Sequence, residues 1–165
     1  MKKIFVISIL ASAFFCQSTL SFAKSNDKLN IAGVYDCTGF DSHDGSYNGV
    51  VILTLDAKAS DFSHNFGAYT LKLTEGHGSE ATTFSGEVAA HGDELAIYFA
   101  NNGKNTIDMI DHGVGIAHVT HDQNSEGKFT TSFHKLYYEP SYQRNQKGET
   151  GLTGGRGTEV CVKRG

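Results

Sequence analysis

The sequence predicts an all-β protein: an eight-stranded, antiparallel, up-and-down β-barrel closed by a disulfide between its first and last strands. Apolar and polar residues alternate with period two in short runs from residue 31 to the C-terminus. Clusters of Gly, Asp and Asn separate these runs at spacings that suit hairpins. Cys37 and Cys161 lie near the two ends of this region. A two-layer β-sandwich is the alternative arrangement of the same strands.

The N-terminal segment has the pattern of an export signal. Lys2 and Lys3 precede an apolar run over residues 4–15, and Ser21 and Ala23 place small residues at the positions that a signal peptidase reads. The apolar run is shorter than the roughly 20 residues that span a membrane, so we expect no membrane span. We therefore predict a signal peptide over residues 1–23, cleavage near Ala23, a short tail over 24–30, and a single barrel domain over 31–165. The mature protein would be periplasmic or secreted.

Eight segments in the remaining chain have the alternation and the β-branched and aromatic content of half-buried strands. They cover residues 31–38, 47–56, 66–75, 81–90, 93–101, 114–121, 128–138 and 157–164. The spacers favour hairpins, because parallel pairing needs a crossover of about a dozen residues or more. His91-Gly92 is a tight-turn signal between the fourth and fifth segments. No segment has the spacing of an amphipathic helix over three turns.

The two mature cysteines favour barrel closure. An isolated pair in an exported chain is most simply a disulfide, and a disulfide needs Cα atoms within about 7 Å. An up-and-down barrel pairs its first strand with its last, which brings Cys37 and Cys161 together. The two residues lie 124 positions apart, so the chain-entropy model assigns the cross-link about 4 to 5 kcal/mol. Two free thiols or an intermolecular bridge are the alternative.

Gly33-Val34-Tyr35 on the first segment, and Lys163 or Arg164 on the last, resemble the calycin group of lipocalins, avidins and fatty-acid-binding proteins. Lipocalins carry Gly-x-Trp at the first position, and a basic residue of the last strand packs on that ring. The resemblance implies an eight-stranded barrel with a ligand cavity. The chain has no tryptophan, so biotin binding is not implied, and no catalytic or ligand-binding residue is carried over.

Strand parity predicts which side chains point inward and so which ones could meet a ligand. The expected inward set is Tyr35, Val51, Leu53, Tyr69, Leu71, Phe84, Leu95, Ile97, Phe99, Phe129, Phe133 and Tyr137. An eight-stranded barrel is just wide enough to be filled by side chains or to hold one small ligand. We assign its aromatic members, with Arg144 at the mouth, as candidate ligand-binding residues: Tyr35, Tyr69, Phe84, Phe99, Phe133, Tyr137 and Arg144.

Eight histidines invite a test for metal binding. His112 and His118 share strand parity, and His134 lies on the next segment, so the three could form a zinc site if the strands align. Ordinary surface histidines are the alternative. The loop from Asp41 to Gly45 offers oxygen ligands for a divalent cation, although the same residues are common turn formers.

These observations point to an exported, non-enzymatic binding protein that holds a small, partly apolar ligand in or at the mouth of a β-barrel. The alternatives are a secreted protein-interaction or inhibitor module acting through loops 38–46 and 139–156, and a periplasmic metal-binding protein using its histidines. The 14 basic against 18 acidic residues give a net charge of −4, so no nucleic-acid partner is expected. No nucleophile or phosphate-loop motif predicts an enzyme or a cofactor.

Overall fold

The computed structural model describes residues 30–42, 44–76, 78, 81–101, 112–123, 125–140 and 154–165. The predicted signal peptide and most of the predicted tail lie outside these ranges. Within them the chain forms eight β-strands, with one turn of 3-10 helix, Phe62–His64, between the second and third. The strands are β1 Gly33–Asp41, β2 Gly45–Leu55, β3 Phe66–Glu75, β4 Thr82–His91, β5 Glu94–Asn101, β6 His112–Gln123, β7 Phe129–Glu139 and β8 Gly155–Lys163.

The strands form a closed barrel in sequence order, and β1 pairs with β8 to complete it. Every neighbouring pair is antiparallel. Cys37 and Cys161 are directly opposite in the closing ladder, 4.1 Å apart at Cα, and are joined as a disulfide. The predicted up-and-down barrel and its disulfide are therefore confirmed, and the sandwich alternative is not the fold.

The stagger of the strands sets the width of the barrel. A path of paired residues that leaves β2 at Leu55 returns to β2 at Gly45, ten residues from where it began. The path runs through Tyr69, Val88, Ile97, Gly115, Tyr137, Gly157 and Asp41. A shear of ten over eight strands, with standard strand dimensions, tilts the strands by about 40°. Such a barrel is just wide enough for side chains to fill it or for one small ligand.

The β4–β5 hairpin confirms the predicted tight turn. His91 pairs with Glu94, so two residues, Gly92 and Asp93, make the connection. Gly92 has a φ of +60°, which a type II′ turn requires at its first central position and which glycine adopts without strain. The turn joins β4 to β5 with no extra residues, which keeps the two strands in register.

The barrel interior is packed with the apolar residues that strand parity placed there. Of the predicted inward set, all members except Phe129 are buried. Phe129 is 56% exposed although it has the same parity as Phe133. The reason is its position: it is the first residue of β7, four residues before Phe133 and at the rim of the barrel. Side chains at the rim of a barrel have no strand above them to complete their burial, so the prediction for Phe129 was wrong.

Candidate functional site

Charged residues lie inside one end of the barrel, where β1 connects to β2 and β7 connects to β8. Asp41, Glu139 and Glu159 are buried, with 5%, 6% and 1% of their surface exposed, and Lys135 is 2% exposed. Among the described residues, these four are the charged residues that are buried. Glu75, at the end of β3, is half-buried beside them. We call Asp41, Glu75, Glu139 and Glu159 the acidic cluster.

Lys135 is the cation that faces this cluster. Lys135 and Glu159 are directly opposite on β7 and β8, and the ammonium forms an ion pair with the Glu159 carboxylate. The same ammonium lies 5.1 Å from the centre of the Phe99 ring and 5.0 Å from that of Tyr137. A cation at this distance is attracted by the negative face of each ring. The barrel therefore holds an ammonium group between one carboxylate and two aromatic rings.

Glycines make space for the aromatic rings at this end. A Cβ on Gly157 would collide with the Tyr137 ring, and one on Gly39 would collide with the ring of Tyr47. Because β8 presents no side chain at Gly157, Tyr137 reaches across it from β7 to β1, where its hydroxyl donates a hydrogen bond of 3.0 Å to Asp41 Oδ2. The inward glycines thus place two tyrosines next to the acidic cluster.

The cluster raises the pKa of Glu75. Burial is the main cause, the neighbouring Glu159 charge adds to it, and Lys135 opposes it, so the pKa reaches about 7. Asp44 and Asp41 raise the pKa further. Burial disfavours a charged carboxylate, and a second carboxylate disfavours it again. Glu75 consequently changes charge close to neutral pH.

Tyr47 and Tyr137 remain neutral at this site. Burial raises the pKa of each phenol well above its usual value. The Glu159 charge is the next cause for Tyr47, and for Tyr137 it is the neighbouring hydroxyl of Tyr47. Neutral phenols next to carboxylates act as hydrogen-bond donors. The acidic end therefore combines carboxylates, phenol hydroxyls and aromatic faces.

The aromatic residues predicted to bind a ligand are brought together, and they contact one another. Ring centres lie 5.1 Å apart for Tyr35 and Phe133, and 5.7 Å apart for Phe99 and Tyr137. Phe84 packs edge-on against Phe99 at 5.9 Å. These rings belong to the hydrophobic core, and Tyr137 is the one that reaches the acidic cluster. Predicted Arg144 lies outside the described residues.

The opposite end of the barrel is closed by residues that precede β1. Ile31 is buried in the core, and its carbonyl accepts a hydrogen bond of 2.6 Å from the Tyr35 hydroxyl. Its amide donates to the Tyr69 hydroxyl at 3.4 Å. Two buried phenols are thereby satisfied without a ligand. The predicted residues Tyr35 and Tyr69 thus have a structural role at this end.

The three histidines predicted to bind metal do not converge. His118 and His134 are directly opposite on the outer faces of β6 and β7. His112 lies six residues before His118 on the same strand, a distance of about 20 Å in extended backbone. Zinc ligands lie about 2 Å from the ion, so one ion cannot contact all three rings. His112 instead lies beside Tyr98, with ring centres 6.5 Å apart.

One group of three potential metal ligands lies close together in the described chain: Cys37, Cys161 and Glu159. The two sulfur atoms are bonded to each other. A disulfide offers no thiolate, and thiolate is the form of cysteine that binds zinc. The oxidised protein therefore has no three-ligand metal centre in the part of the chain that the structure describes.

The outer surface carries an apolar patch over β5, β6 and β7. Tyr98, Val114 and Tyr138 are paired across β5, β6 and β7, and Ile116 is paired with Leu136 across β6 and β7. Each of these five residues is between 47% and 66% exposed. Shallow grooves of about 600 Å³ and 340 Å³ lie against this patch. We name these five residues the outer patch.

Arg164 does not lie where the calycin resemblance implies. Arg164 forms a salt bridge with Asp36 on the barrel surface, with Nη2 2.6 Å from Oδ1. Tyr35 points inward, so Arg164 does not pack on its ring. Lys163 is the β8 residue opposite Tyr35, and it also contacts Gly33 at the start of β1. Of the two predicted basic residues, only Lys163 lies next to the Gly-x-Tyr segment.

The acidic cluster was missed by the sequence analysis, although a signal for it exists. Lys135 lies between Phe133 and Tyr137 in a run whose alternate residues point inward. Glu159 lies two residues before Cys161, which must face the disulfide partner. Parity alone therefore predicts both as buried charges. Hydrophobic patterning hides such residues because it selects apolar side chains.

No known family model, curated protein or solved structure matches this chain. The eight-stranded antiparallel barrel is compatible with a calycin-like architecture. Among the residues that the structure describes, no helix has the length and apolar character needed to cross a membrane.

Proposed function

We propose that this chain is an exported, non-enzymatic binding protein of calycin-like architecture that holds a small cationic, partly apolar molecule at the acidic end of its barrel. The acidic and aromatic surroundings of Glu75 and Lys135 carry this proposal. Burial and the Glu159 charge raise the pKa of half-buried Glu75 to about 7, so Lys135 does not fully offset the acidic environment of this carboxyl group. Buried charge of one sign is costly, and a ligand of the opposite sign offsets that cost.

The environment of Lys135 indicates what a ligand cation would find. Its ammonium lies against Phe99, Tyr137 and the Glu159 carboxylate. Carboxylates with aromatic faces favour organic ammonium groups over anions or neutral molecules. Tyr47 and Tyr137 add apolar surface with hydroxyl groups, a combination typical of ligand sites. The ligand's charged group would approach Glu75, and its apolar part would lie on the tyrosine rings.

The disulfide supports export. Disulfides form and persist mainly in oxidising compartments, and Cys37 and Cys161 are bonded here. The same bond fixes β1 to β8, the two strands that carry Asp41 and Glu159. The alternative functions, a protein-interaction or inhibitor module and a periplasmic metal-binding protein, stay predictions.

Calorimetric titration with two matched probes tests the proposal. Phenethylamine carries an ammonium group on an aromatic body, and 2-phenylethanol is its neutral analogue. We expect the wild type to bind the amine at least tenfold more tightly than the alcohol at pH 8. Binding of the amine should weaken as the pH falls from 8 to 5.5, because protonation of Glu75 removes a carboxylate.

Two variants locate the site. Glu75→Gln should weaken amine binding at least fivefold and reduce its pH dependence, whereas Glu87→Gln, an exposed change on the outer face of β4, should leave both unchanged. Equal binding of amine and alcohol, or equal loss in the two variants, would refute the proposal. Native mass spectrometry of protein purified from the periplasm adds an independent readout, since a retained ligand appears as added mass.

A further inference from the structure

We infer that His118 and His134 form a surface binding site for one divalent transition-metal ion, Zn²⁺ or Cu²⁺, with Glu94 orienting the first histidine. This site is on the outer wall of the barrel and is independent of the proposed ligand site at the acidic end. Glu94, His118 and His134 are successive partners across β5, β6 and β7. All three side chains are exposed.

The spacing of the two imidazoles suits a shared ion. Directly opposite residues on antiparallel strands have Cβ atoms about 4.5 to 5.5 Å apart. Imidazole nitrogens bind zinc at about 2.0 to 2.1 Å, so two ligating nitrogens lie within about 4 Å of each other. Both side chains project from the same solvent-exposed face of the sheet. Small rotations of exposed side chains are therefore enough to bring the nitrogens together.

Glu94 prepares His118 to act as a ligand. The Nδ1 atom of His118 lies 2.8 Å from Glu94 Oε1. A carboxylate at this position accepts a hydrogen bond from Nδ1–H, which leaves the lone pair of Nε2 available for a metal ion. Histidine ligands in metal sites usually donate their second nitrogen to such a partner. An exposed ion pair by itself stabilises a fold little, so the arrangement has a clearer role in binding than in folding.

The ligand set indicates the class of metal. Two neutral imidazoles suit Zn²⁺, Cu²⁺ and Ni²⁺, whereas Mg²⁺ and Ca²⁺ prefer oxygen ligands. Water would complete the coordination, because both rings face solvent. Such a two-histidine site binds Cu²⁺ more tightly than Zn²⁺, as the Irving–Williams order requires.

Copper titration of the untagged mature protein tests this inference at pH 7.5. We expect calorimetry to show one Cu²⁺ bound in this site, and electron paramagnetic resonance to show two coordinating nitrogens. His118→Ala and His134→Ala should each weaken Cu²⁺ binding at least tenfold. Glu94→Gln should weaken it about 10- to 100-fold, the usual cost of losing such a partner. Zn²⁺ should compete for the same site.

His112→Ala is the matched control, because it removes an imidazole from the same strand about 20 Å away. It should leave Cu²⁺ affinity and the nitrogen count unchanged. Melting temperatures without metal should be equal for all variants, since the changed residues lie on the outer surface. The inference is overturned if copper binding survives His118→Ala or His134→Ala, or if His112→Ala weakens it as strongly.

Discussion

Replacing Lys135 with methionine measures how much the buried Lys135–Glu159 ion pair contributes to the stability of the barrel. The change keeps an unbranched side chain of similar volume, one heavy atom shorter, and removes its charge. Glu159, whose side chain is fully buried, then loses its ion-pair partner. Removing one partner of a buried pair costs about 3 to 5 kcal/mol, because the remaining charge is left without compensation. For a chain of this length that loss lowers the melting temperature by about 6 to 20 °C.

Urea denaturation at pH 7.5 measures this cost. The midpoint should fall while the slope of the transition stays the same, since the surface exposed on unfolding is nearly unchanged. Lys72→Met is the matched control: Lys72 is an exposed lysine on β3, and its replacement should change stability by no more than about 0.5 kcal/mol. Adding Glu159→Gln to Lys135→Met removes the uncompensated charge and should recover most of the loss.

A deficit equal to that of Lys72→Met, or no recovery in the double variant, would refute the idea that this pair governs interior electrostatics.

Three further predictions concern the same framework. Burial raises the pKa of Glu75 from 4.5 to about 7, so folding favours its protonated form. The free energy of unfolding of Glu75→Gln, relative to that of the wild type, should therefore rise by about 2 to 3 kcal/mol as the pH is raised from 5 to 8.5. A constant difference across this range in urea titrations would contradict this prediction. Gly157→Ala should cost about 1 to 3 kcal/mol, because its Cβ meets the Tyr137 ring, and thermal unfolding should show most of that cost disappear in a Tyr137→Ala background. Replacing both Cys37 and Cys161 with serine should lower the free energy of unfolding by about 4 to 5 kcal/mol, and a loss below 1 kcal/mol would show that the cross-link does not constrain the unfolded chain.

Glycines on neighbouring strands leave room for the aromatic rings at the acidic end. Tyr137, Tyr47 and Phe99 lie against Gly157, Gly39 and Gly113 of neighbouring strands, where any Cβ would collide with the ring. Each ring therefore lies along the wall of the barrel. A ring held in this way leaves its hydroxyl or edge directed at the carboxylates, as the hydrogen bond from Tyr137 to Asp41 shows.

Strand parity predicted much of the fold because alternation is a local property. The positions of Tyr35, Leu71 and Phe133 follow from their neighbours in sequence, and each is buried as expected. The same parity failed at Phe129, since burial also depends on how far along the barrel a residue lies. Parity also places Lys135 and Glu159 inward, but a search for apolar residues does not select them because both are charged.

The histidine prediction shows a different limit. His118 and His134 lie 16 positions apart in sequence, and only the β6–β7 register makes them partners. Register depends on the length of the connecting turn and on the packing of both strands. Sequence parity could place His112 and His118 on the same face, but it did not show that β6 begins at His112, so that extended strand keeps the two residues about 20 Å apart.

By itself, the sequence determined the all-β class, the number of strands, the cysteine pairing and the inward apolar residues, because these follow from period-two alternation and from the short reach of a disulfide. Only the tertiary structure gives the shear of ten residues, the position of Lys135 beside Glu159 and Glu75, and the alignment of Glu94 with His118 and His134. The physical reason is that charge interactions depend on distances through space, and those distances arise only when distant strands are brought into register.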